Sequence, residues 1–274
     1  MHKKYFVLTN DPDHGLFKDY KNIFKSLSKN NIYITTAIFC TIKNDNNALC
    51  SHCNSNDTNS LSNDKYKDLM LLAKDFGHEI AFHGYSQSND SRDEFKKGLD
   101  IYYDIFKEYP YTYIEHGGHM KSHNPEMVTN QNLSKFGKKI DSDYYVYDIV
   151  KEMFKLVWTH DYMDEDIHVK NIKDIFTNND GVDYFSRSRM LNYDSKIKLI
   201  NDCQNTFVGY THFGYKGYKS RFNFIRNQLA KDSHYSEWWS TNQRDLNRIV
   251  EKIKNDILRY NLNSVTIKDL HQSL

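Results

Sequence analysis

The sequence predicts an α/β protein, a distorted β/α barrel with a mostly parallel sheet, on three observations. Short apolar segments bounded by polar turns alternate with amphipathic stripes of helical period over the first half of the chain. Strands that alternate with helices run parallel, because each helix carries the chain back across the sheet. At 274 residues, a closed or nearly closed barrel of about 250 residues is the architecture such a chain fills. The expectation is a single domain over residues 1–274 with a polar loop insertion at about 41–63, and no internal repeat is visible.

The elements follow in order. Residues 5–9 are apolar and stop at Asn10-Asp11-Pro12, which reads as a buried strand. Phe17, Tyr20, Phe24 and Leu27 put one apolar stripe on a helix. Residues 33–39, rich in Ile and Thr, make a second strand, and the Asn-, Asp- and Ser-rich residues after it a loop. Tyr66, Leu69, Ala73 and Phe76 mark a helix closed by Gly77, and residues 78–83 a third strand. Ser91 and Glu94 are spaced as a capping box before the stripe Phe95, Leu99, Tyr102 and Phe106. Residues 111–115 read as the fourth strand, and Asn124-Pro125 opens a helix that ends near Phe136-Gly137. Further strands are expected at 144–147, 154–158 and 206–211. A long helix over 242–260 and a last strand at 265–267 complete the chain, while 160–205 carries no clear period.

Composition narrows the function. With 39% hydrophobic and 27% charged residues the chain has enough apolar side chains for a core. Its 37 Lys and Arg balance 36 Asp and Glu, so no electrostatic excess points to nucleic acid or an anionic bilayer. No apolar run approaches a membrane span. The start Met1-His2-Lys3-Lys4 is basic, but the apolar run behind it, residues 5–8, is shorter than the roughly 7–15 residues of an export signal, so a cytoplasmic protein is expected. Four cysteines make no disulfide scaffold. Cys50 and Cys53, with Cys40 upstream, have the spacing of only half of a zinc-ribbon site, which needs two such pairs.

Chemistry in parallel α/β folds comes from the carboxyl ends of the strands. The first strand ends in Asp11-Pro12-Asp13, where extended geometry sends both carboxylates to one face. Two carboxylates held together repel, and a cation relieves that repulsion. The third strand ends in His83, the fourth in Glu115, His116 and His119, and a late strand in His212; His160 and Asp161 are placed for the same rim. Carboxylate and neutral imidazole together suit zinc or another divalent transition metal.

These segments resemble the polysaccharide deacetylases, the NodB-like carbohydrate esterases, whose fold is a distorted β/α barrel. Residues 6–13, Phe-Val-Leu-Thr-Asn-Asp-Pro-Asp, are similar to the family's first motif, a strand ending in two Asp residues. Residues 77–87, Gly-His-Glu-Ile-Ala-Phe-His-Gly-Tyr-Ser-Gln, resemble the second, in which a Gly-His-Glu-Ile strand leads to a metal-binding His. Phe136-Gly137 with Ile140-Asp141-Ser142-Asp143, residues 207–212 as the late strand that ends in the catalytic His, and Trp239-Ser240-Thr241 continue the likeness in order. The resemblance implies Asp11 as catalytic base, Asp13 and His83 as metal ligands and His212 as catalytic acid. Two positions depart from the family. Gln87 stands where members carry a second metal His, and the third motif, Ile114-Glu115-His116-Gly117-Gly118-His119, lacks the Arg that holds the catalytic Asp. His116 or His119 is therefore expected to replace the missing ligand, and Arg187 and Arg189 are the candidates for the missing Arg, with nothing in the spacing to choose between them.

The activity implied is hydrolysis of the acetyl group of an N-acetylated sugar with a divalent metal, zinc first, in cell-surface glycan biosynthesis. The sugar or glycan precursor is the expected partner. Tyr85 and Tyr210 are candidate lining residues of the sugar site. Two alternatives accompany this reading: a catalytically silent barrel that binds carbohydrate, and a different metal-dependent amidohydrolase.

Overall fold

The structure, a computed structural model, describes residues 3–12, 17–43, 59–117, 128–189, 193–200, 205–213 and 243–274. In chain order it contains β1 (Lys4–Asn10), α1 (Phe17–Lys29), β2 (Thr35–Phe39), α2 (Asp64–Asp75), β3 (Glu79–Gly84), α3 (Arg92–Phe106) and β4 (Thr112–Ile114). There follow α4 (Tyr147–Met153), β5 (Leu156–Trp158), β6 (Phe176–Asn179), β7 (Val182–Phe185), β8 (Ser188–Arg189) and α5 (Tyr193–Ile197). Then come β9 (Phe207–Thr211), α6 (Gln243–Tyr260), β10 (Leu262–Ser264) and α7 (Ile267–Gln272).

The strand order is β6-β7-β5-β4-β3-β2-β1-β9-β8, with β10 added beside β1. Every pairing is parallel except β6 with β7. The order closes on itself, because β7 and β8 stand near opposite ends of the sheet yet only residues 186 and 187 separate them. Such a link spans about 10 Å at most, so the sheet curls into a distorted barrel. Residues 182–189 run as one bent strand that pairs with β5 through Val157↔Tyr184 and then with β9 through Ser188↔Gly209. His168 secures the second half. The Val208 amide donates to its Nδ1 (3.4 Å), so its Nε2 carries the proton and donates to the Ser188 hydroxyl (2.5 Å), which donates to the Val208 carbonyl (3.3 Å).

Strand alternation divides the apolar residues into two cores. Phe6, Leu8, Ile80, Phe82, Tyr113 and Phe207 pack outward against the helices, while Val7, Ala37, Ala81, Ile114, Leu156, Phe185 and Val208 face inward. Ile267 and Leu270 of α7 plug the floor of the barrel. There Glu79 accepts from Thr35 Oγ1 (2.7 Å), Thr112 Oγ1 (2.6 Å) and the Lys268 amide (3.1 Å).

The predicted elements from β1 through β4, three β/α units and the fourth strand, are present, including the Ser91–Glu94 capping box and Gly77 at φ +88° after α2. Three expectations are corrected. Residues 128–146, the described part of the helix expected to 136 and of the strand expected at 144–147, form turns. Side-chain bonds compete there with helix: the Leu133 amide goes to Glu115 and the Ser134 amide to Asn132 Oδ1, while Val146 and Tyr147 both donate to Gly137 O. The last strand lies at Leu262–Ser264, because Thr266 caps α7 by accepting from the Asp269 amide.

Candidate active site

The same alternation decides which side chains reach the rim at the carboxyl ends. Inward-facing Val7 puts Thr9 and Asp11 above it, and the parity carries Ala81 to His83, Ile114 to His116, Trp158 to His160, Phe185 to Arg187 and Val208 to Tyr210 and His212. Ring contacts agree. His83 lies edge-on to His116 at 5.1 Å between centroids, Phe39 touches both, and Trp158 lies 4.6 Å from His160. Tyr210 lies 5.5 Å from His212.

Asp11 is held by Arg187 through two parallel bonds, Nη2–Oδ2 at 2.9 Å and Nη1–Oδ1 at 3.3 Å, and Nη1 also reaches Thr9 Oγ1 at 2.5 Å. The guanidinium carbon lies 3.6 Å from the centre of the Trp158 ring and 4.5 Å from that of Tyr210. Arg187 is 1% and Asp11 5% exposed. A planar cation stacked on two aromatic rings has little freedom left, so the fork fixes the carboxylate's orientation. Arg187, one of the two candidate arginines, thus reaches Asp11 from the bent strand at the barrel seam. Burial pushes the Tyr210 phenol up, against Arg189 and Arg187, which pull it down. It stays protonated at neutral pH.

His212 follows β9, next to β1. The Asp11 amide donates to Thr211 O at 2.9 Å, so the two residues expected as base and acid leave adjacent strands side by side.

His83 is the extra residue of a bulge, since Ile38 pairs with Phe82 and Phe39 already with Gly84. Gly84 takes φ +139°, a conformation that suits glycine. His83 Nδ1 lies 2.6 Å from the Ile114 carbonyl. A carbonyl only accepts, so Nδ1 holds the proton and Nε2 the lone pair, the tautomer of a metal-ligating imidazole. With His116 alongside, the donor set fits a divalent transition metal at two ligands. Asp13 and His119, the other expected ligands, lie outside the described residues. Among the described residues no group of three His, Cys, Asp or Glu side chains is gathered for a metal.

Other candidates find structural work. Gln87 is fully buried and pairs with the Lys43 backbone, accepting from N at 3.0 Å and donating to O at 2.6 Å, which takes it out of the ligand set. Glu115 faces outward and binds the Leu133 amide at 2.5 Å; burial pushes its carboxyl up to about 8. Tyr85 packs against Gly98 of α3, away from the rim, with Lys43 and Lys97 over its ring. Cys40 is buried, its thiol directed at Gly98 O (3.1 Å) and pushed upward by burial; Cys50 and Cys53 lie outside the described residues.

No family model and no curated protein matches the chain. Solved structures of similar path include the peptidoglycan deacetylase PdaC from Bacillus subtilis (13% identity over 98% of this chain and 91% of that chain, TM-score 0.42). The chitin deacetylase from the fungal pathogen Colletotrichum lindemuthianum is similar at 11% identity, 98% and 88% coverage and TM-score 0.49. A family 4 carbohydrate esterase from Bacillus anthracis is similar at 14%, 99% and 84%, and 0.46. At such identities each residue's role rests on this chain's own geometry.

Proposed function

We propose that this chain is a metal-dependent deacetylase of N-acetylated sugars, with Asp11 as general base and His212 as general acid. The observation that carries the reading is the buried Arg187–Asp11 fork at the rim, beside His212 on the neighbouring strand. A divalent ion, zinc by the chemistry of imidazole and carboxylate, would be held by His83, His116 and one or both of Asp13 and His119. When bound it polarises the acyl oxygen and lowers the pKa of water.

The protein's own groups do the rest. Asp11 accepts the proton of the water whose oxygen attacks the acetamide carbon, a general-base contribution of about 10²–10⁴-fold. Arg187 keeps that carboxylate aimed and supplies a fixed positive charge behind it. His212 gives a proton to the leaving nitrogen as the carbon–nitrogen bond breaks, so the products are acetate and a free amine. Tyr210 closes one side of the Arg187 stack and, through its ring, bears on His212.

The role we assign is in cell-surface glycan biosynthesis, on a precursor inside the cytoplasm. No helix among the described residues is long and apolar enough to cross a membrane. The silent-barrel alternative loses one of its two grounds, because Arg187 supplies the arginine absent from the third motif. Elemental analysis of the purified protein, followed by acetate release from N-acetylhexosamine monomers and oligomers, tests the reading. About one equivalent of metal with acetate release supports it, and neither across a broad panel overturns it.

A further inference from the structure

We propose that Asn10 fixes Asp11 and His212 relative to one another, with Tyr20 as its second support; this rests on the reading of those two groups as base and acid. Asn10 is fully buried and immediately precedes Asp11, so its backbone carries the base. Its side chain carries the other partner. Oδ1 accepts from the Phe213 amide at 3.0 Å, and Nδ2 donates to Thr36 Oγ1 at 3.2 Å. The amide orientation is dictated, since a backbone N–H can only donate. Phe213 O in turn accepts from the Tyr20 hydroxyl.

β9 ends at Thr211, paired with Asn10. Beyond that point the Asn10 side chain extends the ladder by one more bond, and His212 sits between two anchored neighbours. Thr211 O is held by the Asp11 amide, and Phe213 by Asn10 and Tyr20. An apolar side chain of the same size fills the space but leaves the Phe213 amide without its acceptor. The expected consequence is a proton donor free to move against its base, and small misplacements of that kind cost about 10²-fold in rate.

Two variants, Asn10→Leu and Tyr20→Phe, are compared with wild type by amide hydrogen exchange at Phe213, with Val208 of β9 as internal reference, and by steady-state kinetics. In Asn10→Leu the Phe213 amide loses protection while Val208 keeps it, and kcat falls about 10–100-fold with KM changed less than about twofold. Tyr20→Phe gives the same pattern at about 3–10-fold. Should Asn10→Leu fail to fold, Tyr20→Phe, which removes one hydroxyl, carries both readouts. Retained protection at Phe213, or wild-type kcat with protection lost, overturns the proposal. If the wild-type protein releases no acetate, the deacetylase reading falls on its own, and the exchange experiment still decides whether Asn10 anchors the residue beside His212.

Discussion

The rim and the floor of this barrel each bury one inward-facing carboxylate, and their surroundings differ in kind. Asp11 at the rim meets a full positive charge, the two-pronged guanidinium of Arg187. Glu79 at the floor meets two hydroxyls and a backbone amide, and burial outweighs them and pushes its carboxyl up. The same functional group is thus offered as an oriented anion at one end and as a neutral-leaning hydrogen-bond hub at the other. Environment, more than residue type, separates a working group from a fastener.

Removing one charge at each end tests that contrast. Asp11→Asn is expected to lower acetate release by about 10²–10⁴-fold with metal content unchanged, because the proton acceptor is lost, and to lower stability as well, because Arg187 stays buried without its counter-charge. An active Asp11→Asn protein removes Asp11 from its role. Arg187→Met, of similar volume, leaves Asp11 buried without its partner and is expected to cost about 3–5 kcal/mol in urea unfolding as well as turnover. A loss of activity at full stability would make Arg187 purely functional and break the argument from burial.

Acid sensitivity comes next in size. Burial pushes His78 down to about 4 and His168 down to about 3, and both stand neutral in the fold with their ring nitrogens in hydrogen bonds. Their folded pKa values lie below the unfolded value of about 6.5, so the stability they contribute is present above that pH. It is lost as pH falls from there toward 4 and 3, by about 2–4 kcal/mol each. Unfolding midpoints measured between pH 7 and 4 show the slope, and His78→Asn flattens part of it. Smallest of all is Glu79→Gln. Its raised pKa means that its contribution is present below the unfolded value and fades as pH rises. The amide therefore changes stability by about 1 kcal/mol or less at pH 6, gains on wild type as pH rises, and leaves turnover intact.

Much of the rim was legible because strand parity needs only the strand and its last residue. Phe6 to Asp11, Glu79 to His83 and Phe207 to His212 each announce an apolar run followed by a polar group at the correct offset. Arg187 was visible only as one of two candidates. Its strand bends halfway, β8 holds two residues, and neither half shows a period; Phe185, Arg187 and Arg189 fall on one parity, so alternation from the inward-facing Phe185 does not choose between 187 and 189. Gln87 looked like a lost ligand because a motif shows the position and not the partner, the Lys43 backbone of a neighbouring loop. Asn10 and His168 act through contacts 203 and 40 residues away in sequence, beyond any local pattern.

The bent strand at 182–189 also governs how the molecule assembles. Arg187 meets Asp11 across 176 residues of chain, the longest span of any ion pair among the described residues. Loop-closure entropy must be overcome before such a contact gives anything back, which makes it a late event in refolding. Until residues 182–189 arrive, the outer edge of β5 offers unpaired backbone groups to any passing strand. A fragment that stops short of this segment carries that open edge permanently, and self-association is its expected fate.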